Sequence, residues 1–360
     1  MAKISIEPQV KRMTEVMTDD IGIVQHSDID VPIKRDKNPY PYSIDDVARA
    51  LIVLSRFSFD FPEVAITNYW KYLNFFNRSD KGNGLVYNYQ NLDGVPIEES
   101  CGEEDCFGRT MWARAEFLKG NFPISDKKIV RSDFIDRLGN FHEMHSAHSQ
   151  AFSLIALAKF LETEKDPDIT SASKALVEDL AYKLVDSYNK HSENGWNWFE
   201  DTMTYCLGRL PQSMLLASKV LGDEEEIFDV AKKSLDFLID VSFRFEKSGG
   251  IFYGIGNEGW FTKEQFLQGK KPGVYDQQSI EASCMVEACS DFSDLTMVGE
   301  YKSIYARNAF DWFRGLNVNK SSMLSDIGGV YDAITKNGVN KNQGAESLVG
   351  YLMAWSALSD

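Results

Sequence analysis

Apolar residues recur along this chain with the period of a helix rather than the alternation of a strand. The stretch near 45–57 carries Val47, Ala50, Leu51, Val53, Leu54 and Phe57. Comparable stretches lie near 105–118, 149–163, 203–221, 278–292 and 344–358. All six are rich in Ala, Leu, Met and Ser and short of charge, a composition that predicts burial on most sides. Between them, segments near 62–78, 126–137, 168–191, 224–246 and 297–315 place Lys, Glu and Asp at solvent spacing, as in Ala175-Leu176-Val177-Glu178-Asp179-Leu180. A further candidate at 7–18 would close the set against the C-terminal helix. Six buried helices alternating with six amphipathic ones predict an all-α fold of two concentric rings, an (α/α)6 toroid. A solenoid is the competing arrangement, and it would leave 7–18 and 344–358 far apart. Gly and Asn punctuate the connections, as in Asp80-Lys81-Gly82-Asn83-Gly84 and Ser248-Gly249-Gly250. The extended pieces Leu85-Val86-Tyr87-Asn88-Tyr89 and Gly250-Ile251-Phe252-Tyr253 are expected to form small β-hairpins over one mouth.

A length of 360 residues would otherwise suggest several domains. A closed toroid absorbs it, and no Pro/Ser/Gly-rich linker interrupts the chain, so 1–360 is expected to form a single domain. The formal charge of −16 repels phosphate and makes nucleic acid or an anionic membrane a poor partner. The N-terminus, Met1-Ala2-Lys3-Ile4-Ser5-Ile6-Glu7, lacks the apolar stretch of a signal peptide, and no apolar run approaches membrane-spanning length. A cytoplasmic protein is the expectation. Cys101, Cys106, Cys206, Cys284 and Cys289 form no CxxC pair, which points to reduced thiols rather than disulfides or zinc ligands. No GxGxxG, P-loop or GxSxG is present, and no cofactor or metal is expected. His142, His145 and His148 drift around a helix at their i, i+3, i+6 spacing, without a carboxylate to complete a metal signature.

The starts of the buried helices carry the candidate chemistry. They read Ser43-Ile44-Asp45-Asp46-Val47-Ala48-Arg49, then Glu103-Glu104-Asp105-Cys106-Phe107-Gly108-Arg109, then His145-Ser146-Ala147-His148. The fourth follows Trp198-Phe199-Glu200-Asp201, with Tyr205 and Arg209 beyond; the fifth begins Asp276-Gln277-Gln278 with Glu281; the sixth begins Gln343-Gly344-Ala345-Glu346. Parallel inner helices would bring all six clusters to one mouth. Helix capping explains one carboxylate per helix. It does not explain doubled acids, an Arg one or two turns later, and neighbouring Trp and Tyr. Paired carboxylates suit cleavage of a glycosidic bond, one donating a proton and the other attacking or activating water. Asp46, Asp105 and Asp201 are the leading catalytic candidates, with Glu104 and Glu200 as alternates. Asp45, Arg49, Arg109, Trp198, Tyr205, Arg209, Asp276, Gln277, Gln278, Glu281, Asp332, Gln343 and Glu346 are candidates for binding sugar hydroxyls and faces. Packing Glu104 with Asp105, or Glu200 with Asp201, is expected to raise at least one carboxyl pKa.

These segments carry a resemblance. Ile44-Asp45-Asp46-Val47-Ala48-Arg49-Ala50-Leu51, Glu104-Asp105-Cys106-Phe107-Gly108-Arg109, Trp198-Phe199-Glu200-Asp201 through Leu216, Gln278-Ser279-Ile280-Glu281-Ala282 through Cys289, and Gly328-Gly329-Val330-Tyr331-Asp332 through Ser347 resemble the six-hairpin glycosidase-like proteins fused to, or encoded beside, glycosyltransferases. The likeness spans roughly residues 20–358. Val47 stands where that family usually has Asn, and Cys206-Leu207-Gly208 where it has Asp-Asn-Ala. The resemblance implies an (α/α)6 fold, an oligosaccharide or glycan ligand, and a glycosyltransferase as a possible partner. Together, residues and resemblance point to a glycoside hydrolase or related glycan-processing enzyme. A sugar epimerase, phosphorylase or lyase on the same fold, and a non-catalytic glycan-binding partner of a glycosyltransferase, are the alternatives. The histidine segment discriminates the epimerase, which would want His bases inside the mouth.

Overall fold

The computed structural model describes residues 5–28, 31–32, 39–82, 84–102, 104–246, 249–257 and 259–359. Its helices run in chain order α1 (Glu7–Lys11), α2 (Ile44–Arg56), α3 (Pro62–Ser79), α4 (Glu104–Lys119), α5 (Ile124–Asp136), α6 (Ala147–Leu161) and α7 (Pro167–His191). There follow α8 (Arg209–Val220), α9 (Glu225–Ser242), α10 (Lys263–Leu267), α11 (Ser279–Thr296), α12 (Arg307–Asp311) and α13 (Ala345–Ser359). Among the described residues, α2, α4, α6, α8, α11 and α13 each pack on the next, and α13 returns to α2, so the inner ring closes. Outside it, α3 rests on α2, α5 on α4, α7 on α6 and α9 on α8, while α1 lies against α13. That last contact excludes the open solenoid.

Burial follows the apolar pattern. Every residue of α4 from Asp105 to Leu118 is buried, and in α6 all of Ala147–Ala158. Outer α7 buries only one stripe, Leu176, Val177, Leu180, Ala181, Leu184, Val185 and Tyr188, as a helix with one wet face must. Each fully buried Leu or Val side chain contributes about 1.5–3 kcal/mol, so the doubly covered inner ring is the stability core. Close approach is achieved with glycine. A Cβ on Gly108 of α4 would stand 2.7 Å from the Phe152 Cβ of α6.

Short antiparallel pairs gather where inner helices begin. Tyr42–Ser43, paired with Tyr89–Gln90, leads into α2; Gln277–Gln278, paired with Ala333–Thr335, leads into α11. Four expected helices are shorter than the periodicity suggests. The helix expected over 224–246 stops at Ser242, because Phe243–Glu246 pairs with Gly249–Phe252 and sets the Phe243 ring against the tilted Phe252 ring at 5.3 Å. The helices near 7–18 and 297–315 widen into π-turns at Arg12–Val16 and Tyr301–Ala306. The fourth, near 203–221, begins only at Arg209. Its first residues are drawn out of helical geometry by Glu281, which accepts the backbone N–H groups of Cys206 (2.5 Å) and Leu207 (3.2 Å). Cys206 takes a positive φ of 49° there.

Candidate functional site

Ser43 is the cap of α2, accepting the N–H of Asp46 at 3.2 Å. Asp45 is therefore not needed as a cap, and Asp46 accepts the Ser43 hydroxyl at 3.1 Å. Asp45 accepts from Arg109 of α4 at 2.6 Å and from the Cys106 thiol at 3.7 Å. The same guanidinium reaches Asp105 at 2.9 Å and lies 4.3 Å over the Phe152 ring. Arg49 reaches Asp46 at 3.5 Å and Glu346 of α13 at 3.1 Å. Two buried arginines thus tie four carboxylates from α2, α4 and α13 into one charged floor.

The environments push these acids apart. Burial would raise Asp45, but Arg109 and Arg49 outweigh it and hold the carboxyl below its ordinary value. Asp46 is pushed up to about 7 by burial, with Glu346 and Asp45 adding repulsion against the pull of Arg49. Access runs the other way. The Asp46 side chain is 3% exposed, that of Asp45 23%.

The opposite wall comes from α6 and the segment before α8. His148 lies in the mouth, its Nε2 2.6 Å from the Tyr205 carbonyl and its ring stacked on that of Tyr205 at 4.3 Å. Burial takes His148 down to about 4, so it is neutral at physiological pH, donates Nε2–H to that carbonyl and leaves a lone pair on Nδ1. Glu200 stands 4.0 Å from that Nδ1. Burial raises Glu200, while its side chain stays 39% exposed. The Tyr205 hydroxyl donates to Asp105 at 3.1 Å, linking wall to floor. Cys206 faces the same guanidiniums, its thiol drawn down by a hydrogen bond from Cys284 and by Arg49 and Arg109. Beneath, Glu281 is pushed up to about 8 by burial and by Cys206, with the two backbone amides pulling back.

The structure therefore gathers Asp45, Asp46, Arg49, Asp105, Arg109, Glu200, Tyr205, Glu281 and Glu346. It places the other candidates elsewhere. Glu104 is engaged on α6: it accepts the N–H groups of His145 (2.8 Å) and Ser146 (2.9 Å) and the Ser149 hydroxyl. Burial would raise it, but these donors outweigh burial and lower it. Asp201 turns outward to His191 (3.0 Å) of α7 and to Lys263, with its side chain 64% exposed; its hydrogen bond to His191 lowers it. Trp198 is fully buried, edge-on to Phe199, and offers no face to a sugar. Gln277 is fully buried and accepts from Trp312 at 2.7 Å. Gln343 accepts from Ser325 and fills the space over Gly329, where a Cβ would come 1.6 Å from its Oε1. Asp332 accepts from Gly344 N–H and the Ser347 hydroxyl, fastening the loop to α13. Asp276 sits at φ 58° with its carbonyl accepting from Asn257, and Gln278 pairs with Ala333 as strand. Glu103 lies outside the described residues.

Arg209 points down the bore instead of up to the mouth. It bonds Glu287 of α11 and Gln212, and its guanidinium covers Trp112 of α4 at 4.7 Å. On the Trp112 ring Arg56 of α2 also sits, at 5.9 Å, bonding Glu287 (2.7 Å) and Glu116 (3.2 Å). This buried layer joins α2, α4, α8 and α11 across the axis. His148 and Cys206 were not singled out as site residues. For His148 the signal was its place at the very start of a buried helix, second residue of α6. Cys206 had none beyond its place in the motif.

No protein-family profile matches the chain, and no curated protein is significantly similar to it in sequence. Solved structures are similar in fold. A D-mannose isomerase superposes with a TM-score of 0.67 at 13% identity, each chain covered completely. Cellobiose 2-epimerase from Bacillus thermoamylovorans gives 0.67 at 11% identity, covering 98% of this chain and 97% of the other. An inactive variant of an α-1,6-mannanase from Salegentibacter sp., two consecutive aspartates replaced and α-1,6-mannotetrose bound, gives 0.63 at 11%, covering 98% and 97%. At such identities the likeness establishes the (α/α)6 toroid.

Proposed function

We propose that the protein is a glycan-processing enzyme, a glycoside hydrolase acting on an oligosaccharide at the mouth of the inner ring. The observation that carries the reading is the contrast across that mouth. On the floor Asp45 is held ionised by Arg109, 2.6 Å away; on the wall the half-exposed Glu200 is raised by burial. An ionised carboxylate to attack or activate water, across from one that burial makes a weaker acid, is the division of roles that acetal cleavage uses. Asp105, shared between Arg109 and Tyr205, binds a sugar hydroxyl, and the Tyr205 ring, 37% exposed, offers a flat face. Asp46 lies beneath Asp45 and acts through Arg49. The structural neighbours support the substrate class, since an isomerase, an epimerase and a mannanase share the toroid. The sequence resemblance supports a glycosyltransferase as working partner.

One observation favours a second reading, sugar epimerisation: His148 presents a free Nδ1 lone pair in the mouth. A site at about 4 makes it a weak base, which ranks this reading below hydrolysis. A panel of manno- and gluco-oligosaccharides, followed for reducing ends and for epimerised products, separates the two. Hydrolysis is expected, with Asp45→Asn and Glu200→Gln each slowing it about 100-fold or more. Activity should fall as pH rises through the Glu200 pKa, and that limb should vanish in Glu200→Gln. Full turnover in both variants would sink the assignment.

A further inference from the structure

After the hairpin of Phe243–Glu246 and Gly249–Phe252, the chain runs along the edge of the mouth before α10 begins. Its way in is fixed at Gly254, where a Cβ would stand 3.1 Å from the Cβ of Glu281, and at Gly256, where one would come 2.2 Å from the Tyr275 carbonyl oxygen. Its way out is fixed by the antiparallel pairs of Phe261 with Met203 and Thr262 with Thr202. The Lys263 N–H adds a bond to the Asp201 carbonyl at 2.9 Å. The tip at 257–260 is thus tied on both sides to segments that border the site. Antiparallel register decides which way it points. Trp260 precedes Phe261, and Tyr205 follows Met203 by two residues, so Trp260 stands at the Tyr205 end of the pair.

This tip holds an indole outside the core. Trp260 is 45% exposed, whereas Phe261 beside it is 1% exposed and turns inward against Trp196 at 5.8 Å and Phe266 at 6.5 Å. The backbone is strained to do so. Gly259 at φ 89° and Trp260 at φ 43° are two successive left-handed residues, a conformation that glycine adopts freely and a bulky aromatic seldom does. Strain of this kind clusters at active sites and ligand clamps. Among the described residues no ring, cation or hydrogen-bond partner engages the Trp260 side chain. The other exposed indole, Trp70 of α3, differs: its N–H donates to the Thr67 carbonyl of its own helix at 2.9 Å.

An exposed indole offers a flat apolar face, which suits the C–H face of a pyranose ring, and an N–H that can meet a hydroxyl. Tyr205, 37% exposed, offers a second flat face on the same wall. Two such faces in succession suit two consecutive rings of one glycan.

We propose that Trp260 forms an outer sugar subsite of the mouth, stacking on the pyranose ring next to the one held at the Tyr205 wall. This inference rests on the reading of the mouth as a glycan site and adds a dependence on chain length. A monosaccharide fills the wall alone, whereas a disaccharide or longer glycan gains the indole.

Fluorescence titration of the full chain, read at once after mixing so that turnover does not deplete the ligand, tests it. The probes are mannose, α-1,6-mannobiose and α-1,6-mannotriose, with glucose, cellobiose and cellotriose as the second series. In one series the disaccharide should bind about five- to tenfold more tightly than the monosaccharide, the gain expected of one aromatic stack. The disaccharide should also shift the tryptophan emission to the blue, and the monosaccharide should not. Trp260→Ala should lose that gain in affinity and leave the monosaccharide unchanged, Trp260→Phe should keep part of it without the shift, and Trp70→Ala should change nothing. An affinity that does not rise with chain length, or a rise that survives in Trp260→Ala, would overturn the subsite while leaving the mouth a sugar site. Absence of binding in both series would overturn the subsite and the glycan reading together. Length-dependent binding that needs Trp260 but gives no cleaved product would support the subsite and remove hydrolysis. Thermal unfolding shows whether Trp260→Ala folds; if it does not, the emission shift and its loss in Trp260→Phe decide.

Discussion

Asp46 shows how far a single buried carboxyl can couple the site to solution conditions. Its folded pKa of about 7 stands above the ordinary 3.8, so between those values the folded state binds the proton and the unfolded chain releases it. The stabilisation is therefore complete below pH 3.8 and is lost as pH rises, at up to about 1.4 kcal/mol per pH unit, levelling off above 7. Asp46→Asn removes this titration while keeping a partner for Ser43. Its stability relative to the wild-type protein should climb between pH 4 and 7 and then stay flat, as read from urea unfolding at each pH. A difference that does not change with pH would mean that Asp46 is ionised throughout. At this scale the sequence was informative about which residues meet and much less about what each does. Asp45, Asp105, Arg49, Arg109 and Glu346 sit at equivalent turns of parallel helices, so the mouth could be anticipated. Which acid of each doublet is held in the mouth could not. It depends on which acid lies under Arg109, which turns to a neighbouring backbone as Glu104 does, and which, like Asp201, meets an outer-helix histidine.

At the scale of elements, the six inner helices were legible because burial on both faces leaves long runs without charge. Their ends were not, because the competing partner comes from elsewhere in the chain. The start of α8 depends on a carboxylate of α11 more than seventy residues later, which holds two amides that would otherwise enter the helix. Close pairing within the ring depends on missing side chains. With a Gly108 Cβ only 2.7 Å from Phe152, Gly108→Ala should force α4 and α6 apart and cost about 1–3 kcal/mol despite its better helix propensity. A shift of the urea midpoint at unchanged slope would register this, whereas a neutral or stabilised variant would mean that the two helices part freely.

The whole molecule is held by its ring closure and by the charged layer across the axis. Glu287 joins α2 and α8 to α11 through Arg56 and Arg209, and burial is outweighed by those two guanidiniums, which keep it ionised. Glu287→Gln leaves two buried cations short of charge and should cost about 3–5 kcal/mol, a loss readable as a large fall in the denaturation midpoint. No helical periodicity reveals such a layer, since the pattern places Arg209 and Glu287 in buried helices without showing that they meet across the bore. The layer also decides how a polymer can meet the protein. A toroid suggests a bead through which a thread might run, but here the hole is stopped by tryptophan and guanidinium. On the proposed function, a long glycan is gripped by its tip or lies across the rim, and it leaves by the way it came. The protein therefore cannot travel along a polymer by encircling it.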